Sequence, residues 1–377
     1  MKSTRFATSA SAIGDHPAPA LSVVWQSRWG LPIGYAVSSE ALALELLARG
    51  VELMYRPTPW HMPGVIRHPA LRAAAARTPR DDAPQISYDQ ADLFFTGHRG
   101  YRIGYTMLEV DGLPREWVAA CNAMDEIWTP SHWGATVFAD AGVTRPIVVM
   151  PLGYDPERFR PDGPARRIAG RFTFLSIFEW GERKAPEVLL RAYAAAFTRR
   201  DDVLLVLRVN NFDAEVDVAR QIAALRLPAG APPVVVLYNH QISDDSLGSL
   251  YRSADCFVLP TRGEGWGLPI LEAMACGLPV IATDWSGQTE FFHSEVGYPL
   301  RVRRLVAAHA KCPYYLGWRW ADPDEEHLIA LMRYVYEHAD EARRVGARAA
   351  QEAATHWTWA HAVERVHARL LAVAASV

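Results

Sequence analysis

The most informative stretch of the chain reads Glu264-Gly265-Trp266-Gly267-Leu268-Pro269-Ile270-Leu271-Glu272. It follows the apolar run 254–260, which is typical of a buried strand, and it leads into 273–275, which is typical of a helix. Its glycines allow a sharp turn and a close approach to a ligand, and Pro269 suits the first turn of the following helix. The stretch therefore predicts a strand, a loop and a helix whose amino end can hold a phosphate group.

The two glutamates of this stretch need their own explanation, because Glu264 and Glu272 would repel a phosphate if they pointed at it. Helical side chains lean toward the amino end of their helix, so Glu272 can reach back past the loop and accept hydrogen bonds from sugar hydroxyls. Amides that hold phosphate, beside acids that hold hydroxyls, describe a site for a nucleotide sugar. The alternative is a surface loop with both glutamates in solvent, and a short motif by itself favours that alternative.

The residues around the pair strengthen the nucleotide-sugar hypothesis. The run from Leu250 to Glu290 resembles the donor site of the retaining GT-B glycosyltransferases of the large family-4 type, also called group 1. In that family the first glutamate faces the transferred sugar and the second holds the ribose, so the resemblance assigns these roles to Glu264 and Glu272. It also assigns donor binding to the loop between them, at Gly265, Trp266, Gly267 and Leu268.

Length and composition limit the classes of protein that fit. The chain has 377 residues, of which 50% are hydrophobic, and this is enough for two domain cores. A net charge of −3 and the lack of a dense basic run disfavour nucleic-acid binding. Four widely spaced cysteines without a Cys-x-x-Cys pair favour free thiols in a reducing compartment. We expect a cytoplasmic protein without a membrane span, and peripheral docking at the inner face of the membrane is left open.

Beyond a predicted disordered tail, 1–20, the chain opens as an acceptor-binding domain. A strand at 21–25, a helix at 36–48 and a second strand at 51–55 form its start. The glycine spacing in the first loop differs from the dinucleotide fingerprint, so NAD binding is disfavoured. In the resembled family a glycine-bearing loop after the first strand meets the donor phosphates, which makes Gly34 a candidate donor contact. A plain tight turn is the alternative.

Residues 56–90 are rich in proline, arginine and alanine, which predicts a loop-and-helix excursion over the site. The next segment, 92–100, is typical of a strand that runs into a turn. His98 falls at the carboxyl end of that strand, where open α/β sheets place ligand groups. Relatives in the resembled family have a histidine near this position beside the transferred sugar, so His98 is a candidate catalytic residue. A histidine hydrogen-bonded within a turn is the alternative.

Two acidic residues follow a predicted strand at 102–107. The segments 105–117 and 122–131 resemble bacterial members of the same family. This resemblance offers Glu109 and Asp111 as groups that receive the acceptor proton or bind acceptor sugars. An aspartate followed by glycine is also good turn chemistry. The sequence leaves both interpretations open.

The second domain opens with a strand at 172–178 and a helix at 186–197, which frame a turn that contains Arg183 and Lys184. These cations are placed to stabilise the negative charge that develops on a departing nucleoside diphosphate. Only three of the 39 basic residues are lysines, so a lysine in this turn is a stronger signal than usual. Many relatives carry a basic residue where this chain has Glu179, and we expect Arg183 to substitute for it. A solvated turn is the alternative.

The sequence gives weaker indications of the contact with the nucleotide base and of a metal site. The turn at 239–243 ends a predicted strand where relatives contact the nucleotide base, and Ile242 is the candidate contact. Asp322 precedes the helical run 325–337, so helix capping explains it better than a metal site does. We expect neither a required metal nor another cofactor.

Together these features predict an α/β protein of the GT-B class, with two Rossmann-like domains facing a central cleft. The predicted boundaries are 21–160 for the acceptor domain, 161–356 for the donor domain and 357–377 for a C-terminal helix that crosses back to the first domain. The resemblance implies transfer of a hexose from an NDP-sugar to an acceptor hydroxyl, with retention of configuration, in bacterial glycan or glycoconjugate synthesis. The acceptor stays open among a glycan, a lipid-linked molecule and a small molecule. A nucleotide-sugar epimerase of the same fold and a non-catalytic nucleotide-sugar sensor are the alternatives.

Overall fold

The structure is a computed structural model that describes residues 21–59, 64–166, 170–211, 213–240, 242–309 and 311–376. The predicted disordered tail lies outside these residues. The described part contains two parallel six-stranded sheets and one antiparallel two-stranded hairpin. None of the helices in these ranges is long and apolar enough to cross a lipid bilayer.

The first sheet belongs to the amino-terminal domain. Its strands are β1 (Ser22–Ser27), β2 (Glu52–Pro57), β3 (Gln85–Tyr88), β4 (Arg102–Tyr105), β5 (Glu126–Thr129) and β6 (Ile147–Val149). They run parallel in the order β2-β1-β3-β4-β5-β6. The helices of this domain are α1 (Gly34–Ala48), α2 (Pro69–Ala75), α3 (Arg115–Asn122) and α4 (His132–Asp140). Because the strands are parallel, their carboxyl ends share one edge, which is the edge where such sheets bind ligands.

The second sheet lies beyond the predicted domain boundary after residue 160. Its strands are β7 (Phe172–Glu179), β8 (Val203–Asn210), β9 (Val234–Tyr238), β10 (Cys256–Leu259), β11 (Val280–Thr283) and β12 (Tyr298–Leu300). They also run parallel, in the order β12-β11-β10-β7-β8-β9. The helices are α5 (Pro186–Ala196), α6 (Val218–Ala224), α7 (Asp244–Arg252), α8 (Leu268–Ala275), α9 (Glu325–Glu337) and α10 (Ala339–His356). The central strands β10 and β11 are buried throughout, which explains their continuous apolar sequences.

The last helix, α11 (Trp359–Ala374), returns to the first domain and packs on α1. Thr358 caps this helix and forms a β-bridge with Tyr154. Farther along the helix, Arg369 forms an ion pair with Glu126, whose side chain is fully buried in the first domain. The predicted crossing back of the C-terminal helix is confirmed.

The two-stranded sheet links the domains in a second way. Its strands, β13 (Val302–Ala307) and β14 (Arg319–Pro323), leave the second domain and pack on the first. Tyr315 and Trp320 share a buried apolar cluster with Trp117 of the first domain. We call residues 302–323 the crossing hairpin. The sequence predicts no element here, so this hairpin is a finding of the structure.

The segment predicted as a strand running into a turn, 92–100, does not join the first sheet, and a 3-10 turn stands at its start. Gln26 donates to the carbonyl oxygen of Leu93 at 2.7 Å and accepts from the amide of Phe95 at 2.9 Å. Gln85 donates to the carbonyl oxygen of Phe95 at 2.8 Å. These amide side chains satisfy backbone groups that a neighbouring strand would otherwise satisfy, so the prediction of a strand is wrong.

Two further predictions also need correction. The predicted excursion at 56–90 contains strand β3 as well as helix α2, because the alternating polar and apolar residues of this short strand do not form an apolar run. The cap of α9 is Asp324, which accepts a hydrogen bond of 3.0 Å from the amide of His327. Asp322 lies in β14 and pairs with Arg303 instead.

Candidate active site

The loop between β10 and α8 has the predicted geometry. Gly267 adopts a φ of +102° directly before the helix, a conformation that side chains disfavour, and Pro269 lies in the first helical turn. The helix begins at Leu268, Pro269 has no N–H, and the amide of Ile270 donates to the carbonyl oxygen of Gly267 at 3.0 Å. The amide of Leu268 is therefore the helical N–H that this amino end can offer to an anion.

Two positions in this loop require glycine because the first domain packs directly against them. A Cβ on Gly265 would lie 2.5 Å from Cγ of Met107, and a Cβ on Gly263 would overlap the carbonyl oxygen of Glu109. Met107 and Glu109 follow β4, at the carboxyl edge of the first sheet. The loop and this edge therefore meet in close contact between the domains.

Glu264 lies buried at the centre of this contact and pairs with two cations of the second domain. Its Oε1 is 2.5 Å from Nζ of Lys184, and its Oε2 is 3.2 Å from Nη1 of Arg183. Its amide donates to Oγ of Ser286 at 2.9 Å, which fixes the backbone of the loop. The structure thus brings together three of the four predicted catalytic residues.

Main-chain contacts hold the turn that carries the two cations. Ala185 has a φ of +49° and turns the chain from Arg183 and Lys184 into α5. The amide of Arg262 donates to the carbonyl oxygen of Arg183 at 2.7 Å. Arg183 in return donates from Nη1 to the carbonyl oxygen of Gly263 at 2.7 Å. Since Lys184 is buried as well, the alternative of a solvated turn is wrong.

The charges of this cluster shift one another's protonation. Burial would raise the pKa of Glu264, but the adjacent Lys184 and Arg183 outweigh burial and hold that pKa below its usual value. Burial and the neighbouring Arg183 lower the pKa of Lys184. Burial also opposes the charge on Arg183, yet the nearby Glu109 raises its pKa. Two cations held side by side in this way favour the binding of an anion such as a diphosphate.

Glu109 reaches the same cluster from the first domain. Its Oε1 is 3.7 Å from Nη2 of Arg183, and its Oε2 accepts a hydrogen bond of 2.8 Å from the hydroxyl of Tyr315. Asp111 accepts hydrogen bonds from the amide and from Nε of Arg319, at 2.7 and 2.8 Å. Of the two predicted acceptor residues, Glu109 therefore faces the cations, whereas Asp111 holds the crossing hairpin.

Glu272 lies on α8, just over one turn after the helix begins at Leu268. It accepts a hydrogen bond of 2.8 Å from the hydroxyl of Tyr251. Burial raises the pKa of Glu272 to about 7, although Tyr251, Arg158 and Arg208 act in the opposite direction. The carboxyl group therefore titrates near neutral pH. Its contact with a ribose stays a prediction.

The remaining predicted donor contacts lie in different surroundings. Trp266 is 2% exposed and its ring packs on Phe291 and Trp357, so only its peptide group is available to a ligand. Gly34 is the first residue of α1 and has open space around it. Ile242 follows β9 at the carboxyl edge of the second sheet. Their contacts with a donor stay predictions.

His98 lies outside this site, and the prediction that it ends a strand in the cleft is wrong. Its Nε2 is 2.6 Å from the carbonyl oxygen of Ala83, and its Nδ1 is 3.6 Å from Oδ1 of Asp81. Both partners precede β3, so His98 sits at the amino edge of the first sheet, opposite the edge that carries Glu109. Its short contact with a main-chain carbonyl fits the alternative of a structural histidine.

Three side chains that sequence reasoning misses support the predicted acids. Tyr315 and Tyr251 each donate to a glutamate, and Ser286 accepts from the amide of Glu264. The sequence could have indicated Ser286 as a site residue, because it lies in a turn that directly follows the buried strand β11. The tyrosines carry no such signal, because no local pattern shows which glutamate each contacts: Tyr315 lies 206 residues from Glu109, and Tyr251 lies 21 residues from Glu272.

The fold and the site together define a class of protein. Two Rossmann-like domains facing a cleft, with a C-terminal helix that returns to the first domain, form the predicted GT-B architecture. The crystal structure of Anabaena HepE in complex with UDP and glucose matches with a TM-score of 0.70 at 15% identity. This match covers 93% of this chain and 100% of the other, so the GT-B fold is confirmed.

The family follows from sequence comparison. Residues 169–311 match the family described as Glycosyl transferases group 1. The GDP-mannose-dependent alpha-(1-6)-phosphatidylinositol monomannoside mannosyltransferase of Mycobacterium tuberculosis is 27% identical over 295 residues, covering 74% of this chain and 69% of that protein. The mannosylfructose-phosphate synthase of Agrobacterium fabrum is 28% identical over 232 residues, covering 58% of this chain and only 46% of its own length. The family match and these relatives bear out the predicted resemblance to the group 1 glycosyltransferases.

Proposed function

We propose that this protein transfers a hexose from a nucleoside-diphosphate sugar to an acceptor hydroxyl, with retention of configuration, in bacterial glycan or glycoconjugate synthesis. The observation that carries this proposal is the buried cluster of Lys184, Arg183 and Glu264, which faces Glu109 where the domains meet. The family match and the UDP and glucose in the HepE structure support it. Retention of configuration follows from the family resemblance.

The first chemical requirement is stabilisation of the leaving group. When the bond between the anomeric carbon and the phosphate oxygen breaks, negative charge develops on the diphosphate, and fixed cations lower the energy of that state. Arg183 offers a planar fork of donors and Lys184 a compact charge. Glu264 forms ion pairs with both cations in this structure. We infer that the diphosphate takes its place and that Glu264 then accepts hydrogen bonds from the sugar.

The second requirement is a group that takes the proton of the acceptor. With retention, the acceptor hydroxyl approaches on the face from which the diphosphate leaves. Glu109 lies 3.7 Å from a cation that would hold this diphosphate, and it belongs to the domain that binds the acceptor. We therefore assign proton acceptance to Glu109.

Donor and acceptor are proposed as classes. The name of the M. tuberculosis relative specifies GDP-mannose and a phosphatidylinositol monomannoside, and the HepE structure contains UDP and glucose. The first donors to test are therefore UDP- and GDP-hexoses. The first acceptors are soluble sugars and lipid-linked glycans, the latter at the cytoplasmic face of a membrane.

We also propose that transfer needs no divalent metal, because Arg183 and Lys184 supply the positive charge that a metal would otherwise supply. Turnover should be the same after dialysis against EDTA as before. A loss that added Mg²⁺ or Mn²⁺ restores would contradict this part of the proposal.

A thermal-shift screen of UDP- and GDP-hexoses tests the proposal first, because a ligand of the native state raises the melting temperature. The donor found in this way is then incubated with candidate acceptors, and the product is analysed by NMR to establish its anomeric configuration. A glycoside with the configuration of the donor is the expected result. Release of an epimerised sugar without any acceptor would identify an epimerase, and binding without turnover would identify a sensor.

A further inference from the structure

We propose that Tyr315, which the second domain contributes through the crossing hairpin, is a positioning residue that orients Glu109 for the acceptor step. This inference rests on the proposed function. The hydroxyl of Tyr315 donates to Oε2 of Glu109 at 2.8 Å, and the other carboxylate oxygen, Oε1, is 3.7 Å from Nη2 of Arg183. One oxygen is thus committed to the tyrosine, and the other faces the cationic site.

The hydroxyl can orient Glu109 because Tyr315 is itself fixed. It ends a 3-10 turn (Pro313–Tyr315) between the two strands of the hairpin, and only 9% of the residue is exposed. Its ring packs on Trp320, with 5.8 Å between the ring centroids. A buried tyrosine with its ring held on one side offers its hydroxyl at a single position.

The hairpin also fixes the backbone around Glu109. Trp318 packs so closely on Gly112 that any side chain there would overlap its ring. Arg319 holds Asp111 through its amide and its guanidinium group. With the backbone fixed by these contacts, the hydrogen bond from Tyr315 determines where the Glu109 carboxylate points.

The neighbouring cation shows what the hydrogen bond prevents. Without the hydroxyl, the Glu109 carboxylate would be drawn onto Arg183, which it now approaches only to 3.7 Å. A full ion pair there would occupy a donor group that the diphosphate needs. It would also turn the carboxylate away from the acceptor. Tyr315 therefore keeps both residues available.

Tyr315→Phe removes the hydroxyl and keeps the ring. We expect kcat for transfer to fall about tenfold, as for the loss of one hydrogen bond to a charged group. We also expect UDP or GDP to bind several-fold more weakly in calorimetry without any acceptor. The matched control is Tyr314→Phe, which removes a hydroxyl that donates to Oδ2 of Asp92 at 2.8 Å in the same turn. Transfer and nucleotide binding should change less than twofold in this control.

A double-mutant cycle with Glu109→Gln separates positioning from a merely structural role. If Tyr315 acts through Glu109, Tyr315→Phe should cause no further loss of transfer or of nucleotide affinity in the Glu109→Gln background. Equal losses in both backgrounds would overturn the role of Tyr315 while leaving the proposed function intact. A wild-type protein that neither binds nucleotides nor transfers sugar would overturn the proposed function and this role with it. Melting temperatures of all variants establish that each is folded.

Discussion

Glu264 occupies a position in which an anion is stabilised. It is 5% exposed and pairs with Lys184 and Arg183, the two cations that a departing diphosphate would need. A carboxylate that must give way to the donor weakens donor binding. Such an arrangement is compatible with fast turnover, because only interactions that are stronger in the transition state accelerate the reaction.

Because Glu264 and the diphosphate compete for the same cations, removing the charge of Glu264 should change nucleotide affinity and sugar transfer in opposite directions. Glu264→Gln should bind UDP or GDP more tightly than the wild type, because a neutral side chain no longer competes for the two cations. Sugar transfer should nevertheless fall by about a hundredfold or more, because the carboxylate proposed to face the sugar is lost. Calorimetry and product formation measure the two effects. The control is Glu182→Gln, an exposed glutamate of the same turn, and weaker nucleotide binding in Glu264→Gln would contradict the competition.

Glu272 leads to a prediction about pH. Its pKa is raised to about 7, and the hydrogen bond from Tyr251 opposes that rise by stabilising the ionised form. In the proposed site an ionised Glu272 would accept hydrogen bonds from ribose hydroxyls, so nucleotide affinity should decrease as the pH falls through 7. Tyr251→Phe removes the opposing bond, and the midpoint of this decrease should therefore move to higher pH.

The shift is expected because removing a hydrogen-bond donor from an ionised carboxylate raises the pKa of that carboxylate. Nucleotide affinity measured by calorimetry between about pH 5.5 and 8.5 tests it. Inorganic pyrophosphate, which has no ribose, serves as the control ligand. A midpoint that stays in place in Tyr251→Phe, or that moves equally for pyrophosphate, would count against the ribose contact of Glu272.

At the level of elements, the loop between β10 and α8 packs closely against the end of β4. Gly265→Ala places a methyl group 2.5 Å from Cγ of Met107 and should push the two segments apart. Transfer should fall on the order of tenfold to a hundredfold, because small displacements of reacting groups are costly. Gly265→Ala combined with Met107→Ala should recover much of this loss. Gly230→Ala, at a glycine with open space around it, is the control, and the absence of recovery would show that the contact is not the cause.

The elements also show how far sequence reasoning extends. The unit from β10 to α8 is predictable because its signals are local: an apolar run, two glycines and a proline within a few residues. The segment around Phe95 also has a local signal, for a strand, but the distant Gln26 and Gln85 satisfy its backbone and keep it out of the sheet. The crossing hairpin could not be predicted from the sequence, for a related reason. Its apolar side chains match a surface of the other domain, and nothing in its own sequence describes that surface.

At the scale of the whole molecule, the C-terminal helix fastens the domains together through charge as well as packing. Glu126 is completely buried and accepts hydrogen bonds from Nε of Arg369, at 3.0 and 3.1 Å, and from the indole of Trp128, at 2.5 Å. Removal of the arginine would leave a buried carboxylate without its cation.

Arg369→Met should therefore lower the free energy of unfolding by about 3 kcal/mol, as for other buried charges that lose a partner. Arg365→Met changes an exposed arginine one turn earlier in the same helix and should alter stability by no more than about 0.5 kcal/mol. Denaturant titrations followed by circular dichroism measure both variants. Equal stability of the two would mean that the ion pair contributes nothing to the attachment of α11.

The crossing hairpin has a consequence for engineering. Residues 302–323 follow the second sheet in the chain, yet their aromatic side chains complete the interior of the first domain. A chimera that joins the first domain of this protein to the second domain of a relative would leave Trp117 and its neighbours without their native cover. Grafts that exchange the second domain should therefore leave this segment in place and keep the native hairpin with the first domain.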